Sequence, residues 1–146
     1  MQPQTVLNYT LRHLLGEGGT ADVYYAENSL GKGAAIKVLK KEYSNNKQVR
    51  QRFLQDAQIM ARLKHPNIRE VYEFVEGDGF DAIIMEYLEG GDLNTRLKKQ
   101  GAMPHEAAIG YFAQVADALV YAHALGIVHR DIKPANLFLT KSGLLK

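Results

Sequence analysis

The sequence has no cysteine, no tryptophan and only four prolines in 146 residues. Without cysteine there is no disulfide framework and no thiolate metal site, so the fold must rest on its own buried surface; the absence is compatible with a reducing compartment. No run reaches the ~18 apolar residues of a membrane span, and the N-terminus lacks the charged-then-apolar pattern of a secretory leader. The expectation is a soluble, cytoplasmic protein with no membrane partner. Neither charge sign dominates. Eighteen Lys and Arg against sixteen Asp and Glu leave a net charge of +2 with both signs interspersed, which gives no basic patch for nucleic acid. Repeats and low-complexity tracts are missing too. What is present is 46% hydrophobic residues, enough to bury one core in one compact unit.

The first patterned stretch is strand, glycine turn, strand. Leu11, Leu14 and Leu15 lead into Gly16-Glu17-Gly18-Gly19-Thr20-Ala21, and Val23-Tyr24-Tyr25-Ala26 resumes an aromatic, β-branched run. A glycine pair by itself marks a hairpin. A dinucleotide fold needs a helix after the glycines and a P-loop needs Gly-Lys-Ser/Thr, and neither follows. After a turn at Gly31-Lys32-Gly33 comes the apolar strand Ala34-Ala35-Ile36-Lys37-Val38-Leu39, interrupted by one lysine. Ser44-Asn45-Asn46 offers N-caps for a helix to about Leu63, with Val49, Phe53, Ala57, Met60 and Leu63 on one face. Asp56 falls on that same face, where a carboxylate is costly unless paired. Pro66 ends the helix, because a proline disfavours helical geometry in the residue before it. Residues 71–75 and 80–85 form two strands around Gly77-Asp78-Gly79, which completes a five-stranded antiparallel sheet with one helix: an α+β fold. A short helix from Leu93 and a longer one opened by Pro104 and Glu106 follow. The longer helix carries Ile109, Phe112, Val115, Leu119 and Ala122 on one stripe and Tyr111, Ala118, Tyr121 and Leu125 on another, so it expects burial on more than one side.

Between that helix and the apolar run Leu137-Phe138-Leu139 lies His129-Arg130-Asp131-Ile132-Lys133-Pro134-Ala135-Asn136. Alone it reads as a solvated turn, or His129 and Asp131 as a chance metal pair. The segment reads H-R-D-I-K-P-x-N and resembles the catalytic loop of eukaryotic-like (Hanks-type) serine/threonine protein kinases. The chemistry that the resemblance implies, transfer of a phosphoryl group, needs a carboxylate to take the hydroxyl proton, a cation to steady the phosphate and an oxygen ligand for magnesium, and Asp131, Lys133 and Asn136 fit those three roles. The upstream segments are similar to that family in the same order: the glycine-rich loop, with Ala21 in place of its third glycine; the V-A-I-K strand, with Lys37; and the hinge, in Glu86-Tyr87-Leu88-Glu89-Gly90-Gly91-Asp92-Leu93.

The resemblance covers almost the whole chain and the first half of the family's domain, the sequence reaching Lys146 before the Asp-Phe-Gly whose Asp holds magnesium. It implies one truncated kinase domain over residues 1–146: an N-lobe at about 9–85, a hinge at 86–92 and a partial helical C-lobe at 93–146. ATP and Mg2+ are the implied cofactors. Asp131 is the implied base, Lys133 the phosphate stabiliser, and Asn136 with Asp131 the metal ligands; lysine two places after the aspartate implies serine/threonine specificity. Leu15, Gly16, Gly18, Val23, Ala35, Lys37, Met85, Glu86, Leu88, Asp92 and Phe138 are the implied nucleotide contacts, with Met85 as gatekeeper and Asp92 reaching the ribose. The family's helix glutamate, partner of the strand lysine, is matched here by Asp56, one C–C bond (roughly 1.5 Å) shorter, so the helix must sit closer for a Lys37–Asp56 pair to close. The expected activity is slow and mainly self-directed, which makes the chain a phosphoprotein. The expected assembly is a homodimer through the helix around Phe112 and Leu119. The alternative of a different class is a nucleotide-binding pseudokinase acting as an interaction module.

Overall fold

Ala34 to Leu39 is apolar at every position but one because it lies at the centre of a sheet covered on both sides. In the computed structural model, which describes residues 3–128 and 132–146, this is strand β4 (Gly33–Leu39). Alternate side chains of a strand point to opposite faces. Ala34, Ile36 and Val38 enter one core with Val6, Ala26, Ala82 and Ile84; Ala35 and Leu39 enter another with Ala21, Phe53, Ala57, Val71, Ile83 and Met85. A strand buried on both faces shows a continuous apolar run rather than alternation.

The chain divides into two compact units, the first made of residues 1–62 and 70–87 and the second of 63–69 and 88–146. The sheet of the first unit is antiparallel throughout. Its strands are β1 (Thr5–Val6), β2 (Tyr9–Glu17), β3 (Ala21–Asn28), β4, β5 (Val71–Gly77) and β6 (Phe80–Met85), in the order β1-β2-β3-β4-β6-β5. Five of these are the expected strands. The sixth, β1, is two residues long and shows no period for a sequence pattern to reveal, yet it places Val6 fully out of solvent. Helix α1 (Lys47–Ala61) starts where Asn46 Oδ1 accepts the backbone N–H groups of Gln48 and Val49, at 3.1 and 3.2 Å. These are donors that a helix start leaves without partners. Phe53 and Ala57 on α1 are buried against the sheet, with Val49 and Met60 packed beside them.

The second unit holds α2 (Leu93–Gln100) and α3 (His105–Ala124) around Leu93, Leu139 and Leu145, with Met103, Tyr111, Val115 and Leu137 packed against them. The segment 63–69 groups here, although the sequence places it with the sheet, because its polar bonds lead to α3. Lys64 N–H donates to Tyr121 Oη at 3.0 Å, and the His65 and Tyr121 rings lie 5.3 Å apart. Asn67 Nδ2 donates to Gln114 Oε1 and to the Leu145 carbonyl, while Leu145 N–H donates to the same Gln114 oxygen.

Two packing expectations are corrected. The apolar run Leu137-Phe138-Leu139, for which the sequence pattern offers no following strand as a partner, is bonded on both sides. Leu93 N–H donates to Leu137 O and Leu139 N–H to Gly91 O, while Phe138 and Lys146 exchange both backbone bonds. On α3 the expected patch is also revised: Tyr111 and Val115 lie against the unit's own core, whereas Ile109, Phe112 and Val120 are 63%, 75% and 70% exposed. Among the described residues no helix is long and apolar enough to cross a membrane.

Candidate active site

The glycine segment forms the β2–β3 hairpin, closed by the Gly18 N–H bond to the Ala21 carbonyl at 2.9 Å. Its glycines do different work. A Cβ at Gly18 would lie 2.7 Å from that carbonyl oxygen, so the turn itself needs glycine there; at Gly16 and Gly19 a Cβ would meet nothing within 4 Å. The outer surface of the hairpin is therefore open, with room for a group bound by main-chain N–H donors. Leu15, one of the implied nucleotide contacts, is 41% exposed at the end of β2.

Register then fixes the neighbours. Val23 lies opposite Lys37, and Ala35 lies opposite both Tyr25 and Met85. Lys37 therefore shares the hairpin-side face of the sheet with Val23 and Ala35, in a half-buried position. Its ammonium sits 5.9 Å from the centre of the Phe53 ring, and it has no ion-pair partner among the described residues. Asp56 is exposed on α1 and makes no ion pair with Lys37. The side chain of α1 that meets the lysine is Phe53.

Beyond β6, Glu86 donates its N–H to the Glu70 carbonyl at 2.8 Å and accepts the Glu70 N–H through Oε2 at 3.2 Å. In the second unit, the Leu88 carbonyl accepts from Gly91 N–H, while Leu88 N–H donates to no group among the described residues. A main-chain donor without a partner is uncommon away from water and suits a ligand acceptor. Asp92 has a role that the sequence reading missed. It is the N-cap of α2, accepting Thr95 N–H through Oδ1 and Thr95 Oγ1–H through Oδ2, both at 2.8 Å. The signal was available, since an aspartate three residues before a threonine, at the start of a helical pattern, is a capping pattern.

Asp131 lies outside the described residues, together with His129 and Arg130. The residues after it form an extended Lys133 and then the 3-10 turn Pro134–Asn136, closed by the Asn136 N–H bond to Lys133 O at 2.9 Å. The extended backbone at Lys133 is what a following proline imposes. Both Lys133 and Asn136 are exposed, three residues apart on one tight turn. Phe138 pairs with Asp92 across an antiparallel bridge, and the Arg69 guanidinium stands 4.5 Å from its ring centre. No cluster of three metal-ligating His, Asp or Glu occurs among the described residues. Asn136 and Asp131, the magnesium ligands that the family resemblance implies, both carry oxygen donors, the type that magnesium takes beside its waters and phosphate oxygens.

The description "protein kinase domain" matches residues 9–146. The chain belongs to the protein kinase domain family. It is 41% identical over 139 residues to a protein named as a probable serine/threonine-protein kinase of Clostridium perfringens, covering 94% of this chain and 20% of that protein. It is 44% identical to the serine/threonine-protein kinase PksC of Streptomyces coelicolor (94% and 26%) and 39% identical to PknA of Mycobacterium tuberculosis (94% and 33%). The chain thus spans between a fifth and a third of the length of these relatives.

One further feature of this kinase domain was not foreseen. Arg50 on α1 grips Asp81 on β6 with two bonds, Nε to Oδ2 at 2.6 Å and Nη2 to Oδ1 at 3.0 Å, and Glu76 stands 3.7 Å from the same guanidinium. Asp81 is 3% exposed, the only buried charged residue among those described. The hydrogen bond to Asp81, and then its charge, hold the Arg50 guanidinium above its usual pKa. The pair joins residues 31 apart in sequence, and no local pattern marks either one.

Proposed function

We propose that the chain is the nucleotide-binding and phosphoryl-transfer part of an ATP- and magnesium-dependent serine/threonine protein kinase. The observation that carries this reading is Lys37. It is a half-buried strand lysine without an ion-pair partner among the described residues, in register with Val23 and beside a hairpin whose outer glycines are open. A cation so placed suits an anionic ligand, and the hairpin's main-chain donors suit phosphate oxygens. Leu88 N–H is the donor for the base. ATP, when bound, would supply the phosphoryl group, and magnesium held with it would offset the negative charge of the phosphates. Asp131 accepts the proton of the attacking hydroxyl, Lys133 steadies the transferred group and Asn136 supplies a metal oxygen.

Self-phosphorylation forms part of the proposal. Ser29 is exposed at the β3–β4 turn, whereas Ser44 Oγ–H is engaged by the Lys41 carbonyl and Ser142 Oγ by Thr140 Oγ1. Ser29 is accordingly the first acceptor. Self-association belongs to the reading as well: the exposed Ile109, Phe112 and Val120 form an apolar patch suited to a two-fold contact, the commonest closed assembly.

Incubation with labelled ATP and magnesium tests the reading. Wild type incorporates label into itself, Asp131→Asn does not, and Ser29→Ala loses most of it. Equal labelling of Asp131→Asn and wild type shows that the transfer is not this protein's and leaves nucleotide binding without catalysis.

A further inference from the structure

Helix α1 meets the sheet through one apolar stripe, and two charged residues border that stripe on opposite sides. With 3.6 residues per turn and Arg50 set at zero, Phe53, Ala57 and Met60 fall at about 300°, 340° and 280°, whereas Asp56 falls at about 240°. The stripe is centred near Phe53, which is buried, and Arg50 and Asp56 each lie about 60° from it on either side. The two edges are occupied unequally. Arg50 is clamped to the buried Asp81 by two hydrogen bonds, while Asp56 is exposed and Lys37 faces the Phe53 ring.

We infer that the Arg50–Asp81 clamp is a latch on the roll of α1 that keeps Asp56 away from Lys37. Turning α1 about its axis so that Asp56 approaches the sheet carries Arg50 away from it by the same angle. The two ion pairs, Arg50–Asp81 and Asp56–Lys37, therefore compete for the helix, and the short aspartate makes the competition sharper than a longer acid would. With the clamp closed, Lys37 stays without a carboxylate beside it. With the clamp open, α1 rolls, Phe53 turns within its socket and Asp56 reaches the ammonium. Arg50 and Asp81 are positioning residues, acting on Lys37 through Asp56 and α1. The assignment of a role to the Lys37–Asp56 pair rests on the kinase reading; the latch itself is a statement about the fold.

A carbodiimide joins a carboxylate to an amine only where the two touch, and the joined peptides are identified by mass spectrometry. The chain is treated as wild type, Arg50→Gln, Arg50→Lys and the doubly apolar Arg50→Met with Asp81→Leu. The last variant leaves no buried charge behind, so it keeps the test open if the single changes fail to fold. The expected yield of the Lys37–Asp56 link is low in wild type and several-fold higher in each variant that unfolds cooperatively, with Arg50→Lys intermediate because an ammonium cannot make the paired bonds. Asp56→Asn supplies the blank. Unchanged or lower yield in the folded variants overturns the latch. Magnesium-ATP affinity is measured in parallel on wild type: its absence sinks the kinase reading and leaves the cross-link result standing, so the two failures are separable.

Discussion

Phe53→Ala is the substitution that tests how α1 is held. The ring is 5% exposed, its centre lies 6.1 Å from that of Phe74, and the Lys37 ammonium stands 5.9 Å away. Truncating a buried phenylalanine removes its transfer free energy and leaves a cavity, together about 3–5 kcal/mol. Of that, the tilted pair with Phe74 contributes ~0.5–1.5 kcal/mol and the half-buried lysine contact about 0.5 kcal/mol. The upper half of the range is expected, because Phe53 and Ala57 are the only α1 residues fully buried, so little else can close over the gap. Against a total stability of ~5–15 kcal/mol this is a large fraction, and the variant should unfold at markedly lower urea with an unchanged slope. Urea titration followed by far-ultraviolet circular dichroism measures it. A double-mutant cycle with Phe74→Ala isolates the ring pair, which should couple by ~0.5–1.5 kcal/mol. A loss below about 1 kcal/mol for Phe53→Ala, under the same two-state analysis, refutes the packing of α1 described here.

Other substitutions check other parts of the account. Gly18→Ala forces a Cβ to 2.7 Å from the Ala21 carbonyl and should cost about 1–3 kcal/mol, whereas Gly16→Ala, which meets open space, should change stability by under ~0.5 kcal/mol; chemical denaturation separates the two. Asn67→Ala removes donors to Gln114 and Leu145 and should destabilise the second unit by about 1–3 kcal/mol, read as faster hydrogen exchange at Leu145. Phe112→Glu should halve the mass seen by light scattering if two copies meet through α3, and a wild type that scatters as a single 16.3 kDa chain at high concentration removes that contact. Burial first, and then the charges of Asp22 for Tyr24 and Glu86 for Tyr72, raise both phenols above 10.0. The folded protein thus holds these protons more tightly than the unfolded chain. Their contribution to stability is complete below pH 10.0 and disappears as pH climbs through the raised values, and phenolate absorbance that is lost in Tyr24→Phe and Tyr72→Phe should rise only above pH 10.0.

Features set by neighbours in sequence were legible before the structure, and features set by distant partners were not. The hairpin around Gly18, the lysine inside an apolar strand and the Asn46 cap of α1 are local, and each pattern states its own cause. Asp56 shows the limit. Helical spacing put it beside the buried stripe, but the stripe has two edges, and which edge faces a partner depended on Arg50 meeting Asp81, 31 residues away. The segment 63–69 falls inside the N-lobe bounds of about 9–85 that the family resemblance implies, while its bonds run to Tyr121, Gln114 and Leu145. The pairing of residues 137–139 was missed for a related reason: its partners, Gly91, Leu93 and Lys146, belong to no patterned strand. Strand β1 escaped because two residues carry no period.

Titration of magnesium-ATP into the wild-type chain and into Lys37→Met, followed by calorimetry, tests the central claim most directly. A lysine that holds phosphate makes charge-assisted bonds worth ~1.5–3 kcal/mol, so its loss should weaken binding by roughly ten- to a hundredfold. Wild type should bind, magnesium should strengthen the binding, and Lys37→Met should show that loss while melting at an unchanged temperature. No heat of binding to folded wild type at millimolar nucleotide, or equal affinity in the two proteins, contradicts the account.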